Sequence, residues 1–247
     1  MTEFKQKVTL FDIVLISLIA ALCYVALMLV FVPFESMYIH FGNLIVVTAA
    51  LLIGGWQGGL AGSVGMGLFD LLNGHAATFP ATFILKFLIG FTTGLVFKRL
   101  SKKGRYPRIL LLVAGGVAVL LAVLINIVFA AGIISILLTV LFGVLGLLFL
   151  GLSFLDRRFN AKTANAIFAA ACGMGVNIVG EIIKRLISNM LLGSDPMAAL
   201  TLAFMKQGST LINAFFAIIG GVALFLPLEK PLGKLRDSYN QGKKITK

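Results

Sequence analysis

The chain has 247 residues, 60% of them apolar and 12% charged, with a mean hydropathy of +1.05. A soluble domain of this size needs far more polar surface, so the composition excludes one and points to an integral membrane protein. The formal net charge of +12 reads as topology rather than nucleic-acid binding, because basic residues gather in the cytoplasmic loops of membrane proteins.

Apolar runs of about 20 residues predict spanning helices rather than tilted barrel strands. In chain order the expected spans are 10–33, 39–55, 58–73, 80–98, 108–131, 132–154, 163–191 and 197–226. The first apolar run, Val8 to Pro33, is too long for the core of a cleavable signal and reads as a retained helix. The second and third spans are short and meet at GGWQGG. The fifth and sixth form a nearly unbroken apolar stretch divided at AAGIIS. The seventh and eighth are long enough to tilt or to extend past the bilayer.

Gly54/Gly58/Gly62, Gly55/Gly59 and Gly90/Gly94 recur at four-residue spacing, which predicts close helix–helix approach in lipid. Cys23 and Cys172 lie in apolar runs without ligand-like spacing and read as packing residues. There is no G-x-x-x-x-G-K-[ST] segment, so no nucleotide-hydrolysing machinery is expected, and neither is a cofactor or a metal site.

The basic residues set the orientation. KRLSKKGRYPR carries Lys98, Arg99, Lys102, Lys103, Arg105 and Arg108, and DRRFNAK carries Arg157, Arg158 and Lys162. The basic tail holds Lys230, Lys234, Arg236, Lys243, Lys244 and Lys247, and the N-terminus holds Lys5 and Lys7. Eight spans put all four segments on one side, the cytoplasm by the positive-inside rule, so both termini are expected there. The intervening loops VPFESMYIHF, NGHAATFP, AAGIIS and LLGSDP contain no Lys or Arg.

Of the 21 basic residues, Lys86, Lys184, Arg185 and Lys206 fall outside those segments, and the acids Asp70 and Glu181 also lie within spans. A charge inside a spanning helix costs several kcal/mol, which makes each a candidate functional residue. All six are expected in the outer half, which suggests one polar chamber. Helical spacing arranges polar stripes: Asn177, Glu181, Lys184 and Ser188 on the seventh span; Lys206, Thr210 and Asn213, with Gln207 alongside, on the eighth; Thr82, Lys86 and Thr93 on the fourth. For Glu181 two readings stay open, neutralisation by Lys184 or Arg185 and contact with a ligand. Arg185 is expected to snorkel to the outer interface. Tyr38, His40, His75 and Phe79 lie in the outer loops beside the proposed chamber.

FGNLIVVTAALLIGGWQGGLAGSVGMGLFDLL (41–72) and FPATFILKFLIGFTTGLVF (79–97) resemble the S component of energy-coupling factor (ECF) vitamin transporters, in the riboflavin-type and hydroxymethylpyrimidine/pyridoxine-type branch. Gly42 and Asn43, the Thr82-x-x-x-Lys86 signature, Asn177 to Glu181 and MKQGSTLINAFFAIIGG carry the likeness, which covers about 1–100 and 163–230. The resemblance implies a substrate-capture subunit in the plasma membrane. Its partners would be a membrane coupling protein and two cytoplasmic ATPases, with Ser17 and Ala21 on the first helix as the implied partner contact. The expected fold is an all-α bundle of about eight helices forming one transmembrane domain, 1–230, with a basic cytoplasmic tail, 231–247. Within it, a six-helix core is joined by an inserted pair, 108–154.

The leading function is capture of a water-soluble vitamin or precursor of the pyridoxine, hydroxymethylpyrimidine or riboflavin class in an outward-facing pocket. Asn43, Asp70, Thr82, Lys86, Asn177, Glu181, Lys184, Lys206 and Gln207 are the substrate-binding candidates, and loops 33–41 and 73–80 are the lids. Four basic residues against two acids suggest a ligand with anionic or electron-rich groups. The alternatives are a self-sufficient ion-coupled transporter using Asp70 or Glu181 for proton coupling, and an intramembrane enzyme, for which no H-E-x-x-H or G-x-S-x-G segment speaks.

Overall fold

The computed structural model describes residues 8–29, 32–34, 37–104, 108–128, 133–155 and 159–245. The basic residues Lys5, Lys7, Arg105, Arg157, Arg158 and Lys247 lie outside the described residues. In chain order come α1 (Leu10–Leu29), β1 (Val32–Phe34), β2 (Met37–Ile39), α2 (Gly42–Ile53), α3 (Gly55–Leu72), α4 (Phe79–Lys103), α5 (Arg108–Val128), α6 (Ile133–Leu155), α7 (Ala161–Leu191), α8 (Pro196–Met205) and α9 (Gln207–Ile245). The molecule is thus a helical bundle with one small hairpin. Among the described residues, four helical segments are by length and hydropathy long and apolar enough to cross a membrane: Leu10–Leu29, Ala76–Lys103, Ala161–Leu191 and Gln207–Gln241.

Local chemistry explains the helix boundaries. Thr9 and Asp12 cap α1 reciprocally, with Thr9 N–H donating to Asp12 Oδ2 at 3.0 Å and Asp12 N–H donating to Thr9 Oγ1 at 3.2 Å. Asn160 caps α7 by accepting from Thr163 N–H at 2.8 Å. Asp195 does the same for α8 at Met197 and Ala198, with Pro196 preset at the first helical position. Gly54, at φ +100°, separates α2 from α3 in a conformation that L side chains rarely adopt.

Three elements depart from expectation. The first helix stops at Leu29, and the outer loop pairs as an antiparallel hairpin with Val32 opposite Ile39 and Phe34 opposite Met37. The expected eighth span is interrupted at Lys206, giving α8 and then α9. Arg185 donates to the Lys206 carbonyl at 2.7 Å and so takes up an acceptor that an unbroken helix would use internally. The expected tail is part of α9, which runs through Pro227 and Pro231 to Ile245. Contacts to α1 hold this extension: Arg236 pairs with Asp12 at 2.8 Å, and the Tyr239 and Phe11 rings lie 5.3 Å apart.

α2 is the centre of the bundle, packed by α1, α3, α4 and α9. Glycines set the α3–α4 seam. A Cβ at Gly90 would stand 2.5 Å from the Gly59 backbone, and one at Gly94 would collide with Gly55. The four-residue glycine spacing therefore serves close backbone approach. Contacts also gather the basic segments at one end of the bundle. Lys162 at the start of α7 pairs with Glu229 of α9 at 2.8 Å. Asn165 of α7 donates to the Gly104 carbonyl behind α4 at 2.6 Å, and Arg108 of α5 donates to the Ser153 carbonyl of α6 at 3.0 Å.

Candidate functional site

At the opposite end from that basic rim, α4, α7 and α9 bring buried polar groups together. Lys86 of α4 is 4% exposed, and its Nζ donates to Asn177 Oδ1 of α7 at 3.2 Å. One turn further along α7, Glu181 accepts from Lys184 at 2.8 Å and pairs with Arg185 at 3.5 Å. Arg185 is 7% exposed and extends to α9, where Nη2 donates to Thr210 Oγ1 at 2.9 Å. The break at Lys206 thus sits directly on the guanidinium that bridges α7 to α9.

The chain before α2 closes onto this group. His40 lies in the turn between β2 and α2, outside the spanning helices, and its backbone N–H donates to Asn213 Oδ1 at 2.9 Å. Its Nδ1 is buried without a partner among the described residues. Burial, and then the nearby Lys86 charge, pull the imidazole down to about 3, with Lys184 acting the same way and Glu181 opposing. Asn43 Oδ1 and Gln207 Oε1 are also buried without partners among the described residues. Native structures rarely leave such atoms unmatched, which makes this group the candidate site.

The fourth-span stripe is buried as a face, since Thr82, Lys86 and Thr93 are all enclosed. On α7 the inward row is Asn177, Glu181 and Arg185, whereas Lys184 is half-buried and Ser188 exposed. Arg185 therefore does not snorkel outward. Its four-residue offset from Glu181 was the available signal, because i and i+4 lie one above the other on a helix. On α9, Thr210 and Asn213 are enclosed, but the Lys206 side chain is half-buried and makes no hydrogen bond among the described residues. Lys206 acts through its carbonyl.

The remaining candidates stand apart. Asp70 is half-buried and accepts from Thr78 Oγ1 at 2.9 Å, organising the turn between α3 and α4. His75 is exposed and, with Leu27, Met28, Phe69 and Asn73, lines a cavity of about 320 Å³ at the end of α1 and α3. Phe79 packs on Phe83, ring centroids 5.8 Å apart, and against Gly67. The Tyr38 backbone pairs with Pro33, while its side chain lies outside the described part of the structure. Ser17 and Ala21 are exposed on α1 beside Val14, Leu18 and Leu22.

The sequence matches the family described as ECF-type riboflavin transporter, S component, over residues 7–149. The match runs through α5 and most of α6 and ends before α7. No curated protein and no solved structure matches the chain.

Proposed function

We infer the mode of action from one premise: the chain belongs to the ECF-type riboflavin transporter S-component family. It is therefore a vitamin-binding subunit of a membrane transporter, and its family is not a family of enzymes. We propose that it captures a water-soluble vitamin or precursor of the riboflavin, pyridoxine or hydroxymethylpyrimidine class from outside the plasma membrane. The carrying observation is the enclosed Lys86–Asn177 contact between α4 and α7, beside Glu181. A buried ammonium bonded to one neutral amide is costly unless something else completes it.

In this reading the chain crosses the membrane eight times with its basic rim in the cytoplasm. The clustering of Lys162, Arg108 and Arg236 contacts at one end supports that orientation. Lys86, Asn177, Glu181, Asn43 and Gln207 contact the ligand, with Thr82 and Lys184 beside them. The hairpin and the 73–80 turn serve as lids, and Asp70 shapes the latter. The exposed face of α1, including Ser17 and Ala21, meets a membrane coupling protein whose two ATPases supply the energy. Binding by itself does no transport work, because a ligand shifts an equilibrium only by its differential affinity for the two states. The pair α5–α6 is an addition to a six-helix core, a division supported by the direct packing of α4 on α7.

The test is to purify the chain, identify any co-purifying small molecule and titrate a vitamin panel. Lys86→Ala should weaken binding by about tenfold or more, the loss expected for a charged hydrogen bond. Uptake into vesicles should require the ATPases. Absence of any binder, unchanged affinity in Lys86→Ala, or uptake by the lone chain on an ion gradient would sink the proposal.

A further inference from the structure

Two helices begin at the polar cluster. α2 starts at Gly42 behind Phe41, which supplies no side-chain cap, and α9 starts at Gln207 just after the break. A helix start carries N–H groups without intrahelical partners and roughly half a positive charge. The two starts are tied together, because His40, two residues before α2, bonds through its backbone to Asn213 of α9.

Two enclosed cations stand beside them, within electrostatic reach of one another and of Glu181. The Lys86 ammonium has three donors and, among the described residues, one acceptor, the neutral Asn177 oxygen. Arg185 has its Nε enclosed without an acceptor among the described residues, although its two terminal nitrogens are engaged. Glu181 is paired with Lys184 at 2.8 Å through Oε1 and with Arg185 at 3.5 Å through Oε2, the latter oxygen making no hydrogen bond among the described residues, and Asp70 is turned to Thr78. Among the described residues the cluster keeps unfilled donors on Lys86 and Arg185 and an excess of positive over negative side chains, which burial makes expensive without a counter-charge. Asn43 and Gln207, in the first turns of the two helices, each hold an enclosed oxygen with no donor among the described residues. They call for hydroxyl or ring N–H groups on the same ligand.

We infer that the site takes a vitamin or precursor bearing a carboxylate or phosphate, held at Lys86, Arg185 and the starts of α2 and α9, with its donor groups on Asn43 and Gln207. The inference rests on the capture function proposed above and narrows its substrate class. Arg185 becomes a ligand-binding residue rather than a helix tie alone.

The test is calorimetric titration of the purified full chain with matched neutral and anionic pairs: riboflavin against flavin mononucleotide, and pyridoxine against pyridoxate and against pyridoxal phosphate. At least one anionic member should bind about tenfold or more tighter than its neutral partner, a difference of about 1.4 kcal/mol. A gain with pyridoxate supports a carboxylate, and a gain with the phosphates supports a phosphate ester. Arg185→Gln and Lys86→Gln should each lower the preference, and Arg185→Lys should keep most of it. Equal or tighter binding of the neutral member in every pair overturns the inference while leaving vitamin capture intact. So does a preference unchanged in both glutamine variants. Binding by no member of the panel overturns the capture reading and this inference with it. The wild-type ratio needs no variant, so a misfolded substitution does not decide the result.

Discussion

The bundle around α2 and the hairpin α5–α6 both bring helices together at glycine, Gly115 and Gly146 in the hairpin, but they differ in the neighbours that surround the seam. In the bundle, α3 meets α4 backbone to backbone through glycine, and α4 meets α7 where Gly173 faces Thr93. That closeness lets short and polar side chains reach across helices, so the Lys86–Asn177 and Arg185–Thr210 contacts exist. α5 packs chiefly on α6, and large aliphatic residues such as Val113, Leu120, Val140 and Leu147 are exposed along the pair. α6 approaches the rest across an apolar cleft of about 130 Å³ lined by Leu148, Phe149, Met174 and Phe215 among others. Lipid tails are as apolar as leucine, so such a surface gains little from burial, and close packing marks where the protein spends specificity.

The sharpest way to break this contrast is one methyl group placed in each region. Gly90→Ala should destabilise the chain by about 2–3 kcal/mol, because its Cβ meets the Gly59 backbone, which cannot step aside. Gly115→Ala in α5 meets chiefly the flexible Leu150 side chain, with the Gly146 carbonyl at 3.1 Å, and should cost about 1 kcal/mol or less. Thermal melts in detergent measure both, and equal effects would erase the distinction.

A second difference is acid sensitivity. His40 is held near 3 in the folded chain against an ordinary value of 6.5, so the unfolded chain takes the proton first. Its contribution is complete above pH 6.5 and is lost as pH falls from there toward 3, by about 1–2 kcal/mol at pH 5. His40→Gln should flatten the melting temperature between pH 7 and pH 5. An unchanged slope would remove His40 from the enclosed cluster.

The smallest expected effect is on binding after excision of the hairpin. Replacing 108–155 by a short flexible linker should leave ligand affinity within about threefold, less than 1 kcal/mol. A larger loss would place α5–α6 inside the functional unit, as the family match extending to residue 149 would then suggest.

Much of the architecture was legible because it depends on local quantities. Run length and hydropathy announce apolar helices, and four-residue glycine spacing announces a close seam, whatever lies across it. The buried row Thr82, Lys86 and Thr93 followed from helical periodicity alone. The same periodicity offered two rows on α7, one through Lys184 and Ser188 and one through Arg185. Three- and four-residue offsets both fall near one face, so spacing could not choose between them.

By itself, then, the sequence determined a membrane-embedded helical chain with a basic rim at one end and charged residues that its lipid-facing surface cannot explain. Tertiary structure decided which of those charges are enclosed. It moved Arg185 from the interface to the bridge between α7 and α9, reduced Lys206 to a carbonyl acceptor at a helix break, and tied the α9 extension to α1 through Arg236 and Asp12. The physical reason is reach. Whether an arginine finds an acceptor in its own helix, in the next one or in the interface depends on how closely the helices approach, and no spacing within one helix encodes that distance.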